Sequence, residues 1–225
     1  MLDILAVSPH PDDVELCCGG LIAKMSTKGY QIGIIDLTKG ELGTEGSADL
    51  RIQEATKAAQ LLGAHIRENM DLGDCRVSSD FDIAKKLARV IRKYRPSFLI
   101  APYGDDHHPD HASSRKLADK AIFFAKLPRV STDQKVHQVK KVAYYMLHKP
   151  FNPSFIVDVT QNYGKKLEAI KAYKSQMGLM LGKKGLLQSI KLRDQIHGSR
   201  VGVKYGEPFF CNKPLIIDDP VGFTK

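Results

Sequence analysis

Two short stretches of this chain concentrate groups that bind metals and move protons. Residues 10–13 read His-Pro-Asp-Asp, and residues 108–111 read His-Pro-Asp-His. Proline and aspartate are ordinary turn residues, so either stretch alone could be loop chemistry. Together they supply what a hydrolytic metal site needs, three protein ligands and one position left for water. His10 and Asp13 stand three apart in a turn leading into a helix, so both can point at one ion, and His111 can complete the set from a second loop. Two histidines and one carboxylate are borderline hard and suit Zn2+ or Fe2+. Such an ion lowers the pKa of bound water towards neutrality and polarises a carbonyl.

Hydrolysis also needs a base beside the water and an acid for the leaving group. Asp12, next to Asp13, is placed to be the base. His108 is placed to be the acid or an oxyanion stabiliser, with Asp110 expected to orient its ring and favour the imidazolium. His107 exceeds what a three-ligand site requires and is expected to be a solvent-facing loop residue.

These groups can meet only if the fold brings residues 10 and 111 together. Apolar, β-branched runs at 4–7, 32–37, 98–101, 142–147 and 155–159 predict strands, several apolar throughout, as strands covered on both faces are. Amphipathic stretches predict helices at 15–28, 48–62, 81–94, 112–126, 161–175 and 184–197. The alternation argues for an α/β fold: a mostly parallel sheet with helices on both faces, as one domain over 1–225. Residues 175–185, with three glycines, are expected to form a mobile loop. Open parallel sheets bind ligands at the carboxyl ends of their strands. HPDD follows the first strand and GDDHHPDH follows the strand ending near Ala101, so one shared site is expected.

Composition narrows the function classes. With 43% hydrophobic and 26% charged residues, the 225-residue chain suits a globular protein with a real core. No apolar run approaches the roughly 18–20 residues of a membrane helix. The start, MLDILAVSPH, lacks the basic and long apolar regions of a signal peptide, so a cytoplasmic protein is expected. Cys17, Cys18, Cys75 and Cys211 form no CxxC pair and are expected as buried or half-buried free thiols. The net charge of +9 comes from lysines spread along the chain, without zinc-finger spacing or an RNA-binding signature. That pattern argues against nucleic acid and for an anionic small substrate.

HPDDVELCCGG at 10–20 and HPDH at 108–111 resemble the LmbE-like (PIG-L) family of metal-dependent N-acetylglucosamine deacetylases. DLTKGELGTEGSADLRIQEA (36–55), RENMDLGD (67–74), IRKYRP (91–96), IKAYKSQ (170–176) and GVKYGEPF (202–209) are similar to its bacillithiol-biosynthesis branch. The resemblance implies a Rossmann-like sheet, with His10, Asp13 and His111 as ligands, Asp12 as general base, and His108 with Asp110 as the acid-side dyad. It also implies zinc, with Fe2+ as the cellular alternative, and a trimer-based hexamer. Arg51 matches the family's pocket arginine and, behind the GELGT loop, is expected to clamp an anion or hydroxyl. Glu15 is expected behind the ligands or as a first-turn helix acid.

The expected reaction is hydrolysis of the N-acetyl group of a glucosamine conjugate, with N-acetylglucosaminyl malate as the substrate that the branch implies. Deacetylation of another acylated amino sugar, such as a chitin fragment or thiol conjugate, is the alternative. A non-catalytic sugar- or nucleotide-binding module is disfavoured because no GxGxxG follows the first strand. The segment 194–200 departs from the family: His197 stands where relatives often carry an aromatic residue.

Overall fold

The computed structural model describes residues 1–178 and 185–217. Its seven strands are β1 Ile4–Ser8, β2 Ile32–Asp36, β3 Ile66–Asn69, β4 Phe98–Pro102, β5 Lys141–Tyr145, β6 Phe155–Asp158 and β7 Gly206–Phe210. The α-helices are α1 Asp13–Thr27, α2 Ala48–Leu62, α3 Phe81–Tyr94, α4 Pro109–Ala125, α5 Tyr163–Lys171 and α6 Leu186–Ser199. The strands form one sheet in the order β3-β2-β1-β4-β5-β7-β6. From β3 to β5 every pairing is parallel, and β7 runs antiparallel to both its neighbours. The sheet is therefore α/β and mostly parallel.

Alternation along the strands divides the core. Ile4, Ala6, Ile32 and Ile34 pack with residues of α1, α2 and α5 on one face, while Leu5, Val7, Ile35 and Leu99 pack with α3 and α4 on the other. Each buried strand needs cover on both faces, and the crossover helices supply it.

Two strands had no counterpart in the sequence reading. β3 (IREN) is a half-buried edge strand with one apolar residue, so no apolar run marks it. β7 contains Gly206 and Pro208, both poor strand formers. Proline is tolerated because β5 pairs only with Phe209 and Phe210, leaving the Pro208 nitrogen outside that ladder. α4 begins at Pro109 rather than 112, because His108 caps it and proline suits the first helical turn. Asp110 and His111 thus lie in a helix, not a loop.

The end of α5 also differs: a 3-10 turn, Lys174–Gln176, follows it. There Ser175 donates to Glu54 through its amide at 2.8 Å and its hydroxyl at 2.6 Å. The remainder of the expected mobile loop, residues 179–184, lies outside the described residues. Among the described residues no helix is long and apolar enough to cross a membrane. Cys17 and Cys18 are buried and Cys211 is half-buried, but Cys75 is exposed, contrary to expectation, because it sits in a surface turn.

α1 kinks at Cys18 (φ −141°, ψ 17°), and the carboxylate of Glu207 on β7 accepts the amides of Gly20 at 2.8 Å and Leu21 at 2.7 Å. Gly20 has no side chain to spare: a Cβ there would lie 2.7 Å from that of Val159. Lys166 bridges Glu207 at 2.7 Å and Asp194 at 2.6 Å, all three fully buried. Lys166→Met would leave Glu207 buried without a cation and Asp194 with Arg193 alone. Denaturant unfolding should show a loss of about 3–5 kcal/mol. An unchanged midpoint would mean that water reaches this cluster.

Candidate metal centre

β1 pairs with β2 on one side and β4 on the other, so the loops after β1 and β4 leave the sheet side by side. That reversal of strand order is where open α/β sheets place ligands. The β1–α1 loop carries His10, Asp12 and Asp13. It is fixed by Ser8, whose hydroxyl donates to the His10 carbonyl at 2.6 Å, and by Thr38, whose hydroxyl donates to the Pro9 carbonyl at 3.0 Å. The β4–α4 loop carries Asp106 and His108 and ends in the first turn of α4.

Three donor atoms converge. His10 Nδ1 lies 3.2 Å from Asp13 Oδ2, and His111 Nε2 lies 3.3 Å from His10 Nδ1 and 3.4 Å from Asp13 Oδ2. Tetrahedral ligands about 2.0–2.1 Å from a zinc ion are separated by about 3.3–3.4 Å, the edge of that tetrahedron. All three residues are buried. The triangle therefore fits one divalent cation. The His108 ring borders it, with its centroid 4.7 Å from those of His10 and His111.

The surroundings orient the three candidate ligands. His10 presents Nε2 to Asp110 Oδ2 at 3.1 Å and Asp74 Oδ1 at 3.2 Å. A carboxylate only accepts, so Nε2 carries a ring proton, and a cation in the triangle would displace the second proton from Nδ1, which faces Asp13. Burial presses the His10 imidazole towards neutrality. Hydrogen bonds to Asp110, Asp13 and Asp74 outweigh it and hold the pKa up at about 12, so the pocket favours a positive charge. His111 Nδ1 is buried without a hydrogen-bond partner among the described residues, 3.3 Å from Asp106 Oδ2. A cation on Nε2 would leave the proton on Nδ1, facing that carboxylate.

Asp12 caps α1 at φ 114°, a left-handed conformation that L-residues rarely adopt. Such a backbone persists where the surroundings impose it, often at functional sites. Burial pushes the Asp12 carboxyl up to about 7, against the pull of the Arg51 guanidinium. The group can thus both take and return a proton near neutral pH.

Two expectations need correction. The Asp110 carboxylate does not orient the His108 ring. It accepts from His10 Nε2, from the Cys75 amide at 2.7 Å and from the Val77 amide at 3.1 Å, and only the Asp110 amide reaches His108, donating to Nδ1 at 3.3 Å. A ring that accepts at Nδ1 carries its proton on Nε2 when neutral. Burial and the neighbouring His10 and His111 lower the His108 pKa, which works against the expected imidazolium.

Arg51 is buried rather than lining an open pocket. It donates to the Gly40 carbonyl at 2.9 Å, the Pro11 carbonyl at 2.8 Å and Asp12 Oδ2 at 3.3 Å. Gly40 permits this because a Cβ there would lie 1.9 Å from an Arg51 nitrogen. Arg51 is thus brought to the site, but onto the HPDD turn and its aspartate.

Glu15 is fully buried and pairs with Arg67, which also grips Asp36 through two bonds at 2.7 and 2.8 Å. His107 is exposed, as expected. The structure does not bring His197 to the cluster: it is buried on α6, where Arg200, Arg193 and Asp194 act on it. Asp74, Asp106 and His148 belong to the cluster and went unassigned in the sequence reading. Asp74 ends RENMDLGD and Asp106 sits within GDDHHPDH, stretches whose motifs are visible in the sequence although neither residue is marked within them. His148 had no local signal.

The PIG-L family model, described as GlcNAc-PI de-N-acetylase, matches residues 5–122. Over 188 residues the chain is 30% identical to the diacetylchitobiose deacetylase of Thermococcus kodakarensis, across 77% of this chain and 69% of that protein. It is 30% identical to the 4-oxalmesaconate hydratase of Pseudomonas putida, across 76% and 73%. It is 29% identical to a probable N-acetyl-α-D-glucosaminyl L-malate deacetylase 2 of Bacillus anthracis, across 77% and 80%. Among solved structures, the conserved protein TT1542 from Thermus thermophilus superposes with a TM-score of 0.92 at 35% identity, over 98% of both chains.

Proposed function

The chain belongs to the PIG-L family, whose deacetylases act on N-acetylglucosamine-type substrates, and on that footing we propose a metal-dependent hydrolase that releases acetate from a small N-acetylglucosaminide. The observation that carries the reading is the triangle of His10 Nδ1, Asp13 Oδ2 and His111 Nε2 with Asp12 beside it. Zn2+ suits this donor set, and Fe2+ is its cellular alternative. A bound divalent cation would polarise the acetyl carbonyl and acidify a water molecule.

The chain's own groups carry the protons. Asp12 takes a proton from the attacking water as the new C–O bond forms. The Nε2–H of neutral His108 donates to the developing oxyanion. As the C–N bond breaks, Asp12 returns its proton to the departing nitrogen. The products are the free amine and acetate. Asp110 acts on His10 rather than on the leaving group.

N-acetylglucosaminyl malate remains the anionic candidate, favoured by the +9 net charge. Identity does not choose between it and a chitobiose-type sugar, at 29% and 30% for the respective relatives. Arg51 no longer argues for malate, because its donors already hold Asp12 and two carbonyls. Arg51→Ala removes a charge-assisted interaction of about 1.5–3 kcal/mol, so kcat/KM should fall roughly 10–150-fold. The loss should be equal on malyl and neutral substrates. A loss confined to the malyl substrate would return Arg51 to substrate binding.

Acetate release from N-acetylglucosamine, N,N'-diacetylchitobiose and N-acetylglucosaminyl malate, with and without chelator, tests the reading. The identity to a hydratase supports one second reading, hydration of an unsaturated tricarboxylate. Water uptake by 4-oxalmesaconate without acetate release from any sugar would establish it. The trimer-based hexamer is checked by light scattering.

A further inference from the structure

We infer that His148 is a substrate-contacting residue of this centre and that Asp106 is the positioning residue that locks it there; the inference rests on the deacetylase reading. Neither residue lies in the HPDD or HPDH stretch.

Asp106 is a carboxylate whose side chain is 2% exposed, and polar groups from three segments surround it. The His108 amide donates to Oδ1 at 2.9 Å and the His148 amide to Oδ2 at 3.2 Å. The His148 ring contributes Nδ1 at 3.0 and 3.1 Å from the two oxygens, and His111 Nδ1 lies 3.3 Å from Oδ2. One buried charge therefore ties the β4–α4 loop and a candidate ligand on α4 to the β5–β6 loop.

The consequence for His148 is geometric. An ionised carboxylate only accepts, so the neutral ring holds its proton on Nδ1 and leaves a lone pair on Nε2. One ring face stacks on His111, with centroids 5.0 Å apart and planes 17° apart, and His107 packs at 4.5 Å and 38°. With His111 stacked on one face, His107 tilted against the ring and the Nδ1 edge engaged, the ring edge at Nε2 is the one left without a partner on a side chain that is 46% exposed.

A half-exposed loop histidine ordinarily turns freely. This one is held by its amide, its ring nitrogen, one stack and one tilted ring contact, which lowers the ordering cost of binding. It presents an acceptor one imidazole away from a candidate ligand. The matching partner is a sugar hydroxyl beside the acetamido group, since a hydroxyl donates where a carboxylate could not.

His148→Asn is the informative variant, because its amide can still donate to Asp106 but it has no Nε2. The holoenzyme variant should keep wild-type metal content and kcat while KM for N-acetylglucosamine and N,N'-diacetylchitobiose rises about two- to tenfold, the worth of one neutral hydrogen bond. Asp106→Asn should raise KM similarly. By chelator competition it should also weaken metal affinity about 10–100-fold, as outer partners of ligands do. Unchanged KM in H148N on both sugars, or unchanged metal affinity in D106N, overturns the inference. If D106N does not fold, H148N decides alone. If the wild type releases no acetate from either sugar, the deacetylase reading fails, and calorimetric binding of N-acetylglucosamine then judges the inference. Weaker binding by H148N sustains it, and equal binding or none overturns it.

Discussion

Replacing His111 by alanine should leave the purified protein with little of the roughly one divalent ion per chain expected for a three-ligand open site. Each of the three converging atoms lies 3.2–3.4 Å from the other two. Removing one leaves the single edge between His10 and Asp13, which cannot enclose an ion. The loss of affinity should exceed the roughly 10–100-fold that outer partners of ligands contribute. Fold should be retained, because the deleted ring serves the site and α4 keeps its cap at His108 and its apolar face. Metal analysis and circular dichroism on the same sample check both statements. Wild-type metal content in His111→Ala would move the ion elsewhere. The group formed by His10, Asp74 and Asp110 is then the first to examine, since its donor atoms lie within 4.8 Å of one another.

Asp12→Asn should keep the metal and lose about 10²–10⁴ in kcat, the usual range for a general acid–base group. Asparagine preserves the shape and tolerates positive φ better than most residues, so the turn at φ 114° should survive. Arg51 would keep its bonds to the Gly40 and Pro11 carbonyls. The amide cannot take a proton from water, so the chemical step should suffer while KM changes little. Single-turnover kinetics on the metal-loaded variant separates the two. If Asp12→Asn instead loses the ion, the roles of Asp12 and Asp13 must be exchanged.

Much of this was legible in one dimension. His10, Asp13 and the helix after them are close in sequence, so local spacing alone lets both side chains face one point. The central strands β1, β2 and β4 are apolar because both their faces are buried, which makes them readable as continuous runs. Placing HPDD and HPDH at adjacent strand ends followed from those strands and the rule for parallel sheets.

Partnerships decided by convergence were not legible. A carboxylate bonds to whichever donors the fold brings within about 3 Å, and sequence periodicity reports burial, not neighbours. So Asp110, two residues from His108, reaches past it to His10 a hundred positions away and to the turn at Cys75 and Val77. Arg51 carries the charge of an anion clamp, but α2 buries it against Pro11 and Asp12. β7 hides behind Gly206 and Pro208 because its pairing lies mostly on one side. The residue types and spacing determined which atoms could hold a metal. The packing of loops at the carboxyl edge of the sheet decided which carboxylate serves which histidine, because that depends on distances between segments far apart in the chain.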